Sequence, residues 1–330
     1  MRGFDPFFAK SGAIRWAPPT DFARDLYAIY RDGAADRALV ERNPSWVLRD
    51  EEGNPLYIPS DCDGESCPLY AGDLGNPAFQ AHWIQRASEI LAKGYAGIFI
   101  DDVSMEMQIS DGAGRLVVPI DPRTGKRMRD GDWRRYVADF TERIRKSLPR
   151  AAIAHNQGQW WLDHSDPSVR RQVAAADMIE LERGYNDVDL RGGGGPFSFE
   201  SFMAHIDWLH SLGKSVILEP YGLDRAKQIY EVAAYYLTKS RRDAIASSYA
   251  ANPGNWSRVW STDLGAPRGK RYQWKGLWRR NYTDGIALVN PAGQPTRTVK
   301  TGRYRSFSGK RVGRLTLPAA RGAVLLKGRS

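Results

Sequence analysis

The sequence predicts an α/β fold, a TIM-type (β/α) barrel over residues 1–264, followed by a small antiparallel, β-sandwich-like domain over residues 265–330. Three observations carry this expectation. Short, continuous apolar runs alternate with amphipathic helical segments, as buried parallel strands alternate with their crossover helices. The unit recurs often enough to favour a closed barrel over an open doubly wound sheet. After about Gly265 the helices stop and short β runs follow one another directly.

The elements follow in order. Asn76-Pro77 starts a helix, with a side-chain cap and a proline in the first turn. Phe79, Trp83, Ile84, Ala87, Ile90 and Leu91 then share one helical face. Gly94 ends it, and residues 97–101 form an apolar strand. Trp133, Tyr136, Val137, Phe140, Ile144 and Leu148 mark a second helix, followed by a strand at 151–154. Asp166-Pro167 caps a third helix, ahead of a strand at 178–182. A helix over 198–212 precedes a strand at 215–219, and a helix from Asp224 to about Lys239 precedes a strand at 244–247. With a strand at 6–9, this makes about six barrel strands where the ideal barrel has eight. Either the barrel is short at its N-terminus, or strands are hidden in the irregular stretch 11–75. Residues 46–58 read as a hairpin insertion across Asp50-Glu51-Glu52-Gly53-Asn54, with 46–48 as an alternative barrel strand. In the tail, strands are expected at 285–289, 296–300, 315–317 and 322–326. That domain either binds sugar or covers apolar surface of the barrel.

Composition bounds the function. The 330 residues are 42% hydrophobic, enough for a sizeable core, and no apolar run reaches the roughly 18 residues of a membrane span. The start, Met1-Arg2-Gly3-Phe4-Asp5, lacks the basic-then-apolar pattern of a signal peptide. The net charge is +10. It fits a solvated basic surface, or attraction to an acidic glycan or anionic cell surface. No nucleic-acid module with interleaved basic and aromatic residues is visible, so nucleic acid is not the expected partner. Cys62 and Cys67 are too few to build a metal site. They are either a small-loop disulfide, which would point to an oxidising compartment, or two free thiols.

Parallel barrels place their active sites at the C-terminal strand ends. The strands deliver Asp101 and Asp102, then His155, Asn156 and Gln157 with Trp160 and Trp161 beyond. The next deliver Glu180 and Glu182 with Tyr185, Asn186 and Asp187, then Glu219 with Tyr221. The last delivers Ser247, Ser248 and Tyr249, with Asn252, Asn255 and Trp256 beyond. Carboxylates supply the acid, base and nucleophile of glycoside cleavage, and amides hydrogen-bond sugar hydroxyls. Aromatic rings offer flat apolar faces for sugars. Asp101 is expected to face the barrel mouth as nucleophile or base. Glu182, nearest its strand end, is the expected general acid, with Glu219 as competitor and Glu180 as a deeper support. Asp102, His155, Asn156, Trp160, Trp161, Tyr185, Asn186, Tyr221 and Trp256 would line the sugar subsites. Gly213-Lys214-Ser215 precedes a strand instead of following one, so it is not a phosphate loop. Only His155 of five histidines stands at a strand end, and no Gly-x-Ser-x-Gly elbow occurs. No metal or other cofactor is expected.

The run Gly94-Tyr95-Ala96-Gly97-Ile98-Phe99-Ile100-Asp101-Asp102-Val103 resembles the strand motif of putative TIM-barrel glycosyl hydrolases, distant relatives of α-amylase-type and polygalactosaminidase-type barrels. Gly72-Asp73-Leu74-Gly75-Asn76-Pro77 and Glu180-Leu181-Glu182-Arg183-Gly184-Tyr185-Asn186-Asp187 are also similar to the group. So is the tail from Gly285 to Leu326, with Asn290-Pro291 and Leu315-Thr316-Leu317-Pro318. The resemblance spans roughly 46–326. It implies an acid/base glycosidase with Asp101 at the family's mid-barrel strand end, acting on a poly- or oligosaccharide. It also implies an exported, extracellular or periplasmic protein. The alternatives are a non-catalytic carbohydrate-binding barrel and a basic adhesion or nucleic-acid module.

Overall fold

The computed structural model describes residues 23–30, 34–60, 62–64, 66–190, 192, 194–221, 224–240, 242–245 and 257–328. The strand expected at 6–9, and Ser247, Ser248, Tyr249, Asn252, Asn255 and Trp256, lie outside them. The chain falls into two compact units divided between Ile179 and Glu180.

The unit Ile14–Ile179 opens with β1 (Ala23–Asp25), β2 (Ala28–Tyr30) and α1 (Ala34–Arg42). Next come β3 (Leu69–Ala71), α2 (Pro77–Leu91), β4 (Gly97–Asp101), β5 (Ile120–Asp121) and β6 (Lys126–Arg127). They are followed by α3 (Asp130–Ser147), β7 (Ala152–Asn156) and α4 (Pro167–Ala175), then by β8 (Met178–Glu182), within which the division falls. Strands β1, β4 and β7 are parallel neighbours in that order, with Asp25 opposite Asp101 and Ile100 opposite His155. Thus β1 is a parallel strand in the irregular stretch, and its sequence Ala-Arg-Asp carries no apolar run that would announce it. Residues 46–58 do form an antiparallel hairpin. Leu56 N–H bonds Leu48 O, Asp50 N–H bonds Asn54 O, and Val47 bridges Gly72 antiparallel. The alternative parallel strand at 46–48 is therefore absent. Cys62 and Cys67 are bonded to each other.

Close approach explains several residues here. A Cβ on Gly97 would stand 2.2 Å from Ala152 O, so β4 meets β7 through a glycine. The motif Gly72–Pro77 is a structural joint. Asp73 takes both terminal oxygens to Arg123 Nη1, at 2.7 and 2.8 Å. Arg123 Nε also bonds Asp121 at 2.7 Å, and the Tyr136 hydroxyl donates to Asp121 at 2.9 Å. Asp73 and Asp121 are buried, and burial, countered by Arg123, raises the Asp73 carboxyl above its ordinary range. Asn76 caps α2 through the Ala78 and Phe79 N–H groups. Trp83 and Phe79 of α2 then pack against Phe140 of α3.

The unit Glu180–Ser330 continues from β8 through α5 (Phe199–Ser211), β9 (Ser215–Glu219), α6 (Arg225–Thr238) and β10 (Ala244–Ile245). Ser198 and Asp224 cap α5 and α6, and β9 and β10 pair in parallel. Six strands follow: β11 (Tyr272–Trp274), β12 (Leu277–Asn281), β13 (Gly285–Asn290), β14 (Arg297–Ser306), β15 (Arg311–Leu317) and β16 (Arg321–Lys327). They form one antiparallel sheet in the order β11-β12-β13-β16-β14-β15. The sheet lies against α6, where a Cβ on Gly322 would come within 2.6 Å of Ala233 Cβ. Arg280 closes the C-terminal end of α6 by donating to the carbonyls of Tyr236, Leu237 and Lys239. Covering apolar helix surface is thus one job this sheet performs. Among the described residues, no helix is long and apolar enough to cross a membrane.

Candidate active site

Two groups of strand-end side chains stand out, one in each unit. In the first, β4 and β7 end side by side. Adjacent residues on a strand point to opposite faces, so Asp101 and Asn156 share one face and His155 takes the other. Asn156 Nδ2 donates to Asp101 Oδ1 at 2.8 Å, and the Asp102 N–H reaches the same oxygen at 3.1 Å. Asp102 has a φ of 52°, which turns the chain off the strand directly after Asp101. Asp101 and Asp102 are both half-buried. His155 is buried and faces α4, where Gln172 Nε2 lies 2.8 Å from its Nδ1.

Beyond β7, Gln157 is 1% exposed, and neither of its amide atoms has a partner among the described residues. Gln159 binds the Met105 N–H and the Ser104 hydroxyl, fixing the loop that follows Asp101. Trp160 is buried edge-on against Trp161, whose indole N–H donates to Glu106 at 2.9 Å.

In the second unit, Glu180 and Glu182 lie two apart on β8 and so share a face. Glu219 ends β9, and the Arg183 N–H bonds Glu219 O at 2.8 Å. Glu180 and Glu219 are buried, whereas Glu182 is half-exposed. The Tyr221 phenol lies near all three. Burial raises it well above the ordinary tyrosine range, and the charges of Glu219, Glu182 and Glu180 add to the effect, so the phenol keeps its proton. Part of the Tyr221 ring is exposed.

The chain turns sharply after Glu182. Arg183 and Gly184 are both left-handed, at φ 66° and 56°. A Cβ on Gly184 would sit 2.9 Å from Glu231 Oε2. Glu231, on α6, accepts the Tyr185 N–H at 3.1 Å and Asn186 Nδ2 at 2.6 Å. Complete burial, partly offset by these donors, pushes its carboxyl up to about 8. Tyr185 points inward, packs against Phe199 and Phe202, and bonds the Thr238 hydroxyl.

The structure thus brings Asp101 together with Asn156, and Glu182 with Glu180, Glu219 and Tyr221. It places His155, Trp160, Tyr185 and Asn186 in packed or internally bonded positions, and Trp256 lies outside the described residues. Sequence reasoning missed Glu231. Its one signal was a carboxylate set within the apolar helical run Ile229 to Leu237. Among the described residues, no group of three or more His, Cys, Asp or Glu is arranged to hold a metal.

Parallel strands crossed by helices, with carboxylates and amides at their C-terminal ends, are the build of an α/β carbohydrate-cleaving enzyme. The chain belongs to hypothetical glycosyl hydrolase family 15, whose profile matches residues 23–286, and it is a glycosidase. Solved structures with a similar fold include the glycoside hydrolase domain of PelA from Pseudomonas aeruginosa. That domain is 17% identical, covers 74% of this chain and 85% of its own, and has a TM-score of 0.43. A GH27 β-L-arabinopyranosidase from Geobacillus stearothermophilus is 11% identical, covering 89% and 72%, with a TM-score of 0.49. The type III pullulan hydrolase from Thermococcus kodakarensis is 11% identical, covering 97% and 61%, with a TM-score of 0.48. No curated protein matches the chain.

Proposed function

We propose that this glycosidase cleaves O-glycosidic bonds of a poly- or oligosaccharide by carboxylate acid/base catalysis, with Glu182 as general acid and Asp101 as nucleophile or base. The observation that carries this reading is the cluster of Glu180, Glu182 and Glu219 at the ends of β8 and β9, in which only Glu182 is not fully buried. A proton donor must reach the leaving oxygen, and Glu182 is the least buried of the three. Two donors on one oxygen of Asp101 suit a carboxylate that acts as the anion. Glu180 and Glu219 act as buried supports that hold Tyr221 and Glu182 in place.

Asp102, Asn156, Trp161 and Tyr221 supply sugar contacts in this reading. His155, Trp160, Tyr185 and Asn186 shape the walls behind them. Residues 1–264 form the catalytic part, and residues 265–330 an accessory β domain that braces α6. The Cys62–Cys67 bond supports work in an oxidising compartment, extracellular or periplasmic.

The test is reducing-end release from a panel of polysaccharides, run beside Asp101→Asn, Glu182→Gln and Glu219→Gln. Removing an acid, base or nucleophile should lower kcat by about 10²–10⁴-fold for the first two. Full activity in both Asp101→Asn and Glu182→Gln overturns the assignment.

A further inference from the structure

Charge is divided very unevenly along this chain. Residues 265–330 hold 16 of the 48 Lys and Arg residues but a single acid, Asp284, of the 38 Asp and Glu. That segment alone carries +15, and the preceding 264 residues carry −5. Among the described residues, Arg271 with Asp207 is the one ion pair the segment makes.

The cations are concentrated on the β14–β15 hairpin. Val299 and Leu315 face each other there and pack in the apolar cluster of the sheet, as do Tyr304 and Val312. The adjacent pairs turn away from that cluster. They are Lys300 opposite Arg314 and Arg305 opposite Arg311, and all four side chains are exposed. Arg303 and Lys310 are exposed beside them. Thr298 and Thr316, hydrogen-bonded at 2.9 Å, extend the same ladder.

Lysine and arginine on an edge strand such as β15 deter edge-to-edge pairing. That accounts for Arg311 and Arg314. It does not account for Lys300 and Arg305, which lie on the interior strand β14 directly opposite them. Like charges placed directly across two strands destabilise a sheet. An anion seated between them removes that cost.

Resting on the glycosidase reading, we propose that the exposed face of the β14–β15 hairpin is a docking site for a polyanionic polysaccharide, recognised through Lys300, Arg305, Arg311 and Arg314. Arginine forks match carboxylate and sulfate oxygens in pairs, and the two threonine hydroxyls suit sugar hydroxyls. Single-stranded nucleic acid would want rings among the cations, and the Tyr304 ring is turned into the core cluster instead. The occupant is therefore a glycan and not a nucleobase chain.

Affinity electrophoresis of the full chain tests this, in gels cast with polygalacturonate, dextran sulfate or neutral dextran. Retardation by either polyanion, absent with dextran and weakened by salt, supports the proposal, and comparison of the two shows which anion is preferred. Lys300→Thr with Arg314→Thr, and Arg305→Thr with Arg311→Thr, should each weaken retardation roughly tenfold, about one charge-assisted hydrogen bond per pair. The charge-matched control Lys93→Thr with Arg150→Thr should leave it unchanged. Thermal melts confirm folding, with the hairpin variants at least as stable as the parent because a like-charge repulsion is gone. No retardation by either polyanion, equal retardation of all variants, or stronger binding to duplex DNA or anionic lipid vesicles overturns the proposal. The measurement needs no turnover. An Asp101→Asn chain retarded like the parent keeps the outcome separate from that of the catalytic assignment.

Discussion

Tyr221 sets a protonated phenol beside three carboxylates of the second unit. Tyr221→Phe keeps the ring but deletes the hydroxyl, and a hydrogen bond to a charged partner is worth about 1.5–3 kcal/mol. The expected result is a kcat about 10–100-fold lower, and an unchanged kcat would detach the phenol from the site. At this scale the sequence was informative about types and misleading about directions. Asp101, Glu182 and Glu219 each close an apolar run, and that is visible without coordinates. Tyr185, in contrast, looked like a sugar platform. The left-handed pair Arg183–Gly184 ends the strand's alternation directly after Glu182, and the ring goes into the core. Two consecutive positive φ values cannot be read from one glycine.

Among elements, the joint between β3, α2 and α3 carries the clearest consequence. Arg123 is the common partner of two buried carboxylates. Arg123→Ala strands both, and leaving a buried charge unpaired costs about 3–5 kcal/mol. The chemical denaturation midpoint should fall accordingly, and a loss below about 1 kcal/mol would show that the carboxylates re-solvate freely. The Gly72–Pro77 motif was legible as a helix start because the Asn76 cap and Pro77 lie next to what they stabilise. Its ion pair was not legible, since Asp73 and Arg123 stand 50 residues apart. The same distinction separates the elements that were found from those that were missed. Strands β4, β8 and β9 are five residues long and built mainly from apolar residues, whereas β1 is three residues held by its neighbour's register. The disulfide was equally undecidable from spacing, because bonding depends on how the 62–67 loop folds.

For the molecule as a whole, pH stability should report on Glu231. Its native carboxyl titrates near 8, above the ordinary 4.5. Between those values the unfolded chain has lost this proton while the native state holds it. The contribution is thus fully present below about 4.5 and declines as pH rises towards 8. Glu231→Gln removes the ionisation. The variant's melting temperature should gain on the parent's as pH increases from 5 to 8, and parallel curves would refute the role. The division of charge has a further consequence of a practical kind. An isoelectric point near 9.6 averages two unlike surfaces and describes neither. In dilute buffer at neutral pH such a patchy colloid should adhere to both cation- and anion-exchange resins. Copies should also attract one another, giving turbidity at low ionic strength that clears when salt is added. Salting-in would then be the everyday sign of how this chain distributes its arginines.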